Sequence, residues 1–226
     1  IGISCSVEQA AGAQPETAEM RFDPSGTVTV LVGSTPHGQG HETIYKQLVC
    51  EKLGLEPDDI RVVEGDTDKV SFGTGTGGSR TATIGSGAVF EAIGKIVEKA
   101  RKVAAGLLEA AEADVAFENG KFVIAGTDRS LPFKDVVTAA FNPAQIPDGV
   151  EPGLYETATY NPKKANFPNG CHICELEIAP ETGEIEIARN TVVDDVGFEI
   201  NPLLVKGQIH GGIAQGLGQA MLELCH

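Results

Sequence analysis

An α+β fold in two lobes, with mixed sheets covered by helices, is what this 226-residue sequence predicts, and three observations predict it. Short runs rich in β-branched residues, such as Thr27–Val32 and Ile60–Val63, are interspersed with stretches whose apolar residues recur every three or four positions. Two of the helical stretches are entered through glycine-dense loops, at 34–43 and 72–83. Residues 142–153 hold Pro143, Pro147, Gly149, Pro152 and Gly153, the best boundary candidate, which sets the lobes at 1–147 and 148–226. The second lobe reads as incomplete at its C-terminal end.

In chain order, Ile1–Gln9 and Glu16–Phe22 read as strands around the stretch Ala11–Pro15, and Asp23-Pro24-Ser25-Gly26 turns the chain into Thr27–Val32. A meander of two or three antiparallel strands is the economical expectation. Ile44–Leu53 follows as a helix with Ile44, Leu48, Val49 and Leu53 on one face and Gly54 closing it. Ile60–Val63 is a short strand ended by Gly65-Asp66-Thr67-Asp68. After the second glycine loop a long helix places Phe90, Ile93, Val97, Ala104, Leu107, Leu108 and Ala111 on its apolar side. Val115–Phe117 and Lys121–Ile124 form a hairpin around Asn119-Gly120, and Pro132–Ala140 is a short helix. In the second lobe, Leu154–Tyr160, Cys171–Ala179 and Glu184–Asp194 are strands, the last two joined at Pro180-Glu181-Thr182-Gly183. Asn201-Pro202 opens a final helix over about 203–224. There Val205, Ile209, Ile213, Leu217, Met221 and Leu224 share one face, and Gln208, Gln215 and Gln219 fall within about 40° of one another opposite it. Gly211 and Gly212 beside that row are costly in a helix and call for a reason.

A formal charge of −15 argues against a nucleic-acid surface and against anionic membranes. No apolar run approaches the roughly 20 residues of a membrane span, and no secretory leader is present. Five sparse cysteines fit reduced thiols in a cytoplasmic protein. The chain starts at Ile1 within a strand-like run and stops at His226 within a helical pattern, so both ends read as cuts through a longer protein.

Several chemistries fail on spacing. His37 and His41 with Glu42 do not make His-Glu-x-x-His, and Gly38 and Gly40 break the helix such a zinc site needs. Cys171 and Cys174, three apart in a strand, point to opposite faces and read as structural thiols. Neither glycine loop continues as Gly-Lys-Ser/Thr, Gly73-x-Gly75-x-Gly77-Gly78 is not a Rossmann fingerprint, and no Gly-x-Ser-x-Gly elbow occurs. What remains is two glycine loops opening helices and a third helix with glutamines. Together they can wrap a flat, polar, phosphorylated ligand, with backbone N–H groups for phosphate and amides for ring edges.

Gly38-Gln39-Gly40-His41-Glu42-Thr43, Gly65-Asp66-Thr67-Asp68, Gly75-Thr76-Gly77-Gly78-Ser79-Arg80-Thr81, Asp194-Asp195-Val196-Gly197, Asn201-Pro202 and Gly207-Gln208-Ile209-His210-Gly211-Gly212-Ile213-Ala214-Gln215-Gly216 occur in that order over nearly the whole chain. In this the sequence resembles the molybdenum-cofactor subunit of the xanthine dehydrogenase family, above all its bacterial aldehyde oxidoreductase and carbon monoxide dehydrogenase branch. The resemblance implies a molybdopterin cofactor with molybdenum, in the cytosine dinucleotide form, and a two-lobed cofactor-binding domain. It implies that Gln39 contacts the pterin and the molybdenum-side ligands, and that Gly40, His41 and Thr43 serve the phosphate and dinucleotide. Gly78, Ser79, Arg80 and Thr81 hold a second stretch of cofactor, Asp195 and Gln208 its pterin or nucleotide edge, with Gln215 on the same helix face.

The same resemblance implies partners: the rest of the molybdenum subunit, iron–sulfur and flavin (FAD) subunits, and a small-molecule substrate that is an aldehyde, an N-heterocycle or carbon monoxide, oxidised with oxygen from water. The family's catalytic glutamate falls downstream of the last helix, so no catalytic residue and no protein metal ligand is assigned, and the chain alone is expected to bind cofactor without turning over. A non-catalytic nucleotide or metabolite-binding module, and a zinc hydrolase on His37, His41 and Glu42, are the rival readings.

Overall fold

The computed structural model describes residues 1–10, 12 and 14–224. Ala11, Ala13, Cys225 and His226 lie outside the described residues, and with them part of the expected 11–15 connection and one of the five thiols. The strands are β1 (Gly2–Val7), β2 (Glu16–Phe22), β3 (Val28–Val32), β4 (Ile60–Glu64), β5 (Val115–Glu118), β6 (Lys121–Ile124), β7 (Ser130–Pro132), β8 (Tyr155–Tyr160), β9 (Asn169–Ile178) and β10 (Ile185–Asp195). The helices are α1 (His41–Leu53), α2 (Ser86–Leu107), α3 (Phe133–Ala139) and α4 (Pro202–Met221). The class is α+β with mixed sheets, as the sequence predicts.

The central sheet runs β4-β3-β2-β8. Asp23 builds the β2–β3 turn by accepting hydrogen bonds from the Ser25 N–H and from the Ser25 and Thr27 hydroxyls. β3 and β4 are parallel, so the chain must cross over between them, and α1 is that crossover. Ala18, Met20 and Phe22 of β2 and Val28, Val30 and Val32 of β3 are buried in one core with α1 and α2. Burying each of the larger side chains contributes roughly 1.5–3 kcal/mol.

Of the expected apolar side of the long helix, Ile93, Ala104 and Leu108 are buried and Val97 and Leu107 pack against the core, but the buried stripe is offset from it. Ala88, Val89, Ala92, Ile93, Ile96, Ala100, Val103 and Ala104 are buried, whereas Phe90 is 51% exposed with the Lys52 ammonium 5.6 Å above its ring. Half of the buried stripe is alanine, which weighs little in an apolar count yet lets the helix sit close on the sheet. The helix also stops at Leu107, short of Ala111.

Two strands pair across the sequence. β1 does not extend a meander with β2, because both edges of β2 are taken, one by β3 and the other by β8. It pairs instead with β9 in the sheet β1-β9-β10, with Cys5 opposite Cys171. β8, which follows the 142–153 stretch, belongs to the central sheet. The small sheet β5-β6-β7 carries the expected hairpin, and Phe117, Phe122 and Phe133 pack there with Phe22. No residue of α4 is buried among those described: Val205, Ile209, Ile213 and Leu217 are half-covered and Met221 is exposed.

Candidate functional site

The two glycine loops are joined to each other at their stems. The first leaves β3 at Gly33, where a Cβ would lie 2.2 Å from the Gly73 Cα and 2.4 Å from a Glu16 carboxylate oxygen. Two backbones cross this closely only through glycines. The Gly75 N–H donates to the Gly33 carbonyl at 3.1 Å, the Thr35 N–H donates to Thr76 Oγ1 at 2.9 Å, and the Thr76 and Thr81 hydroxyls are 3.0 Å apart.

Arg80 clamps this seam from behind. Its Nη1 donates to Glu16 Oε2 and to the Gly75 carbonyl, both at 2.7 Å, and its Nη2 donates to the carbonyls of Pro15 at 3.0 Å and Gln14 at 3.3 Å. Glu16 shares the inward row of β2 with Ala18, Met20 and Phe22, and a carboxylate buried there needs a cation. The guanidinium is therefore engaged by the protein itself.

α1 starts at His41, three residues before the expected Ile44. Its N-cap is Gly40, in the left-handed region at φ 85°, and no side chain caps it. The first N–H groups of the helix are thus left for a ligand or water. His41 is buried, with Nδ1 3.0 Å from Glu64 Oε1. Ser34 Oγ donates to the same oxygen at 2.5 Å and lies 3.0 Å from the Tyr45 hydroxyl. Burial pushes the Tyr45 phenol above its ordinary range.

Ahead of α2, Gly78 and Ser79 take left-handed conformations (φ 60° and 55°), Arg80 is helical, and Thr81–Gly85 form a widened π turn. A left-handed residue followed by a helical one turns successive N–H groups into a concave anion nest. At the start of α4, Asn201 Oδ1 accepts from the Leu204 N–H at 3.0 Å, and Asn201 Nδ2 donates to Gln47 Oε1 of α1 at 2.7 Å. Leu204 presses on Gly40, where a Cβ would come within 2.8 Å of its Cδ1.

These three helix starts line one cavity of about 660 Å³. It brings together Gln39, His41, Ser79, Arg80, Thr81, Asp195 and Gln208 of the residues singled out from the sequence. Gln39 Oε1 accepts from the His37 N–H, and Asp195 Oδ1 accepts from the Gly197 N–H at 3.0 Å, so both are fixed by their own loops. Thr43 is exposed on α1 outside the cavity wall, and Gly40 and Gly78 shape the loops without lining it. Gln215 and Gln219 are exposed, two and three turns beyond Gln208, and do not reach it.

A family model described as a molybdopterin cofactor-binding domain matches residues 1–226. This chain belongs to that family. The domain is 38% identical over 207 residues to the carbon monoxide dehydrogenase large chain of Hydrogenophaga pseudoflava, covering 91% of the domain and 26% of the relative. Among solved structures it is similar to CO dehydrogenase from Oligotropha carboxidovorans (TM-score 0.91, 35% identity, 97% of the domain, 29% of that chain). It is also similar to quinoline 2-oxidoreductase from Pseudomonas putida 86 (TM-score 0.88, 36% identity, 96% and 29%). The domain spans about a quarter of the length of these curated relatives.

Sequence reasoning missed Glu16, Ser34, Tyr45 and Glu64 of the molybdopterin-binding domain. The signal for Glu16 was present: an acid in register with three apolar inward positions of one strand. Glu64 ends such a strand just before Gly65-Asp66-Thr67. His37 and His41 do not converge, since His41 is held on Glu64 while His37 is exposed. Among the described residues no group of three or more His, Cys, Asp or Glu side chains is gathered to hold a metal ion, and no helix is long and apolar enough to cross a membrane.

Proposed function

We propose that the domain holds the pterin and phosphate of a molybdopterin cofactor, in the cytosine dinucleotide form, as one part of a molybdenum hydroxylase. The observation that carries this reading is the convergence of three helix starts, two of them without a side-chain cap, on one cavity whose nearest cation, Arg80, is already neutralised by Glu16. An anion entering it finds backbone N–H groups and helix dipoles in place of a free positive side chain. The residues present fit the group. A Cβ at Gly77, on the cavity wall, would meet no atom within 4 Å, so the space beside that backbone is free for a flat ligand.

When bound, the cofactor supplies two-electron oxidation at molybdenum with oxygen from water. The chain's own part is to bind and orient. Ser79, Thr81 and the N–H groups after Gly78 take one phosphate region. The first turn of α1, with Gly40, His41 and Thr43, takes another. Gln39, Asp195 and Gln208 meet ring edges, Gln215 lies farther along the same helix, and Arg80 keeps its loop in shape. Iron–sulfur and flavin partner subunits, a cytoplasmic location and a substrate that is an aldehyde, an N-heterocycle or carbon monoxide complete the reading. The names of the relatives support it: a carbon monoxide dehydrogenase large chain and a quinoline 2-oxidoreductase.

Gly77→Val in the full-length subunit is the test. The new side chain enters open space, so the fold is retained while molybdenum and releasable cytosine nucleotide per subunit fall severalfold. Unchanged content of both would mean that the cofactor sits elsewhere.

A further inference from the structure

We propose that Glu64 is a positioning residue for His41, presenting its Nε2 as the one ring nitrogen available to a phosphate oxygen in the cavity. The inference rests on the cofactor reading above and adds to it a residue that no motif marks.

His41 occupies the first position of α1, its ring lines the cavity, and its side chain is only 4% exposed. Glu64, at the end of β4, is not part of the cavity wall and has a side chain 5% exposed. It lies behind the ring, with Oε1 3.0 Å from Nδ1. A carboxylate is an acceptor only, so Nδ1 must carry the proton and donate it. That fixes the ring plane, ties up Nδ1 and leaves Nε2 as the ring nitrogen the protein does not hold. The arrangement is the one by which a second partner sets which nitrogen of a histidine is used. Among the described residues Nε2 has no protein partner.

Glu64 is itself held. Ser34 Oγ donates to the same Oε1, and the Tyr45 hydroxyl backs Ser34. Tyr45 is wedged against the start of α2, where a Cβ on Gly85 would come within 2.4 Å of its hydroxyl. One buried chain of polar groups, Tyr45–Ser34–Glu64–His41, thus joins two positions of α1 through Ser34 and the end of β4, with Tyr45 seated against the start of α2. A phosphate oxygen at Nε2 takes a hydrogen bond from one side of the ring while Nδ1–H donates to the carboxylate on the other. The first-turn N–H groups of α1, uncapped at Gly40, favour a phosphate at the same place.

The experiment is a double-substitution cycle in the full-length subunit within its native complex, read as cofactor nucleotide retained per subunit after equilibrium dilution. Glu64→Gln keeps an oxygen for Nδ1–H and Ser34 and removes only the charge. Alone it lowers retention roughly tenfold, and His41→Gln does so by a similar factor. In the His41→Gln background Glu64→Gln adds less than about twofold, because both act through one contact. Additive losses, or no loss from Glu64→Gln, overturn the positioning role. No loss from His41→Gln overturns the placement of phosphate at α1 as well, while the Gly77→Val test of the cavity stands separately. A second readout needs no variant of Glu64. Imidazole nitrogen resonances of the labelled complex, assigned to His41 by their loss in His41→Gln, report a protonated Nδ1. A ring protonated on Nε2 alone would overturn the proposal even if Glu64→Gln failed to fold.

Discussion

Replacing Arg80 with lysine separates the two jobs that a cation beside an anion site can do. If Arg80 attracts the cofactor by charge, lysine keeps most of its effect. The geometry says otherwise. The guanidinium makes four hydrogen bonds, to Glu16 and to the carbonyls of Gly75, Pro15 and Gln14, from a side chain 10% exposed. An ammonium can keep the Glu16 contact and one carbonyl but cannot span the fork, so about two charge-assisted bonds are lost in a buried site. At about 1.5–3 kcal/mol for each such bond, the cost is roughly 3–6 kcal/mol. For a unit of this size that lowers the melting temperature by roughly 6–24 °C. Differential scanning calorimetry of the full-length subunit, with and without bound cofactor, is the assay. A lysine variant that melts within about 2 °C of the parent, yet loses cofactor more readily as salt is raised, would refute the reasoning and return Arg80 to the role of ligand counter-charge.

Other outcomes follow from single contacts. Gly33→Ala sets a methyl 2.2 Å from the Gly73 Cα, and the crossing cannot yield without displacing Glu16; the expected loss is about 1–3 kcal/mol in chemical denaturation, together with reduced cofactor content. Asn201→Ala removes the α4 cap and its bond to Gln47, costs about 1–2 kcal/mol, and speeds amide exchange in the first turn of α4. Tyr45→Phe bears on alkaline stability. Burial raises the folded phenol, so its contribution is whole below the unfolded value of about 10 and is lost as pH rises through the folded one. Between pH 10 and 11 the parent should lose up to about 1.4 kcal/mol more than Tyr45→Phe, measured as the difference in denaturation free energy.

Strands and helix ends were legible in the sequence where local chemistry sets them: Asp23 at its turn, Asn119-Gly120 in its hairpin, Asn201-Pro202 at the start of α4. Pairing partners were not, because β1 and β8 find theirs far along the chain and nothing within either strand encodes that. The α2 stripe was legible only in part, at Ile93 and Ala104 but not at the alanines beside them, because alanine contributes little transfer free energy and much closeness. In the site, glycine loops announce themselves, and the order of the motifs made the cofactor class readable before any coordinates. The buried acids did not stand out. Glu16 and Glu64 act by holding Arg80 and His41, and a supporting carboxylate looks like any other until its partner is known.

The pairing of β1 with β9 also has a consequence for biosynthesis. Gly2–Val7 leaves the ribosome roughly 165 residues ahead of the strand that completes it, and central β2 likewise waits for β8. At about 5–20 residues per second that is on the order of ten to thirty seconds during which Ile3 and Val7 have no sheet to join. Even in the finished structure these two side chains are 69% and 73% exposed. A nascent chain with such an unclaimed apolar strand is a substrate for holding chaperones. The yield of this domain in a cell should therefore depend on chaperone supply more steeply than its final stability suggests.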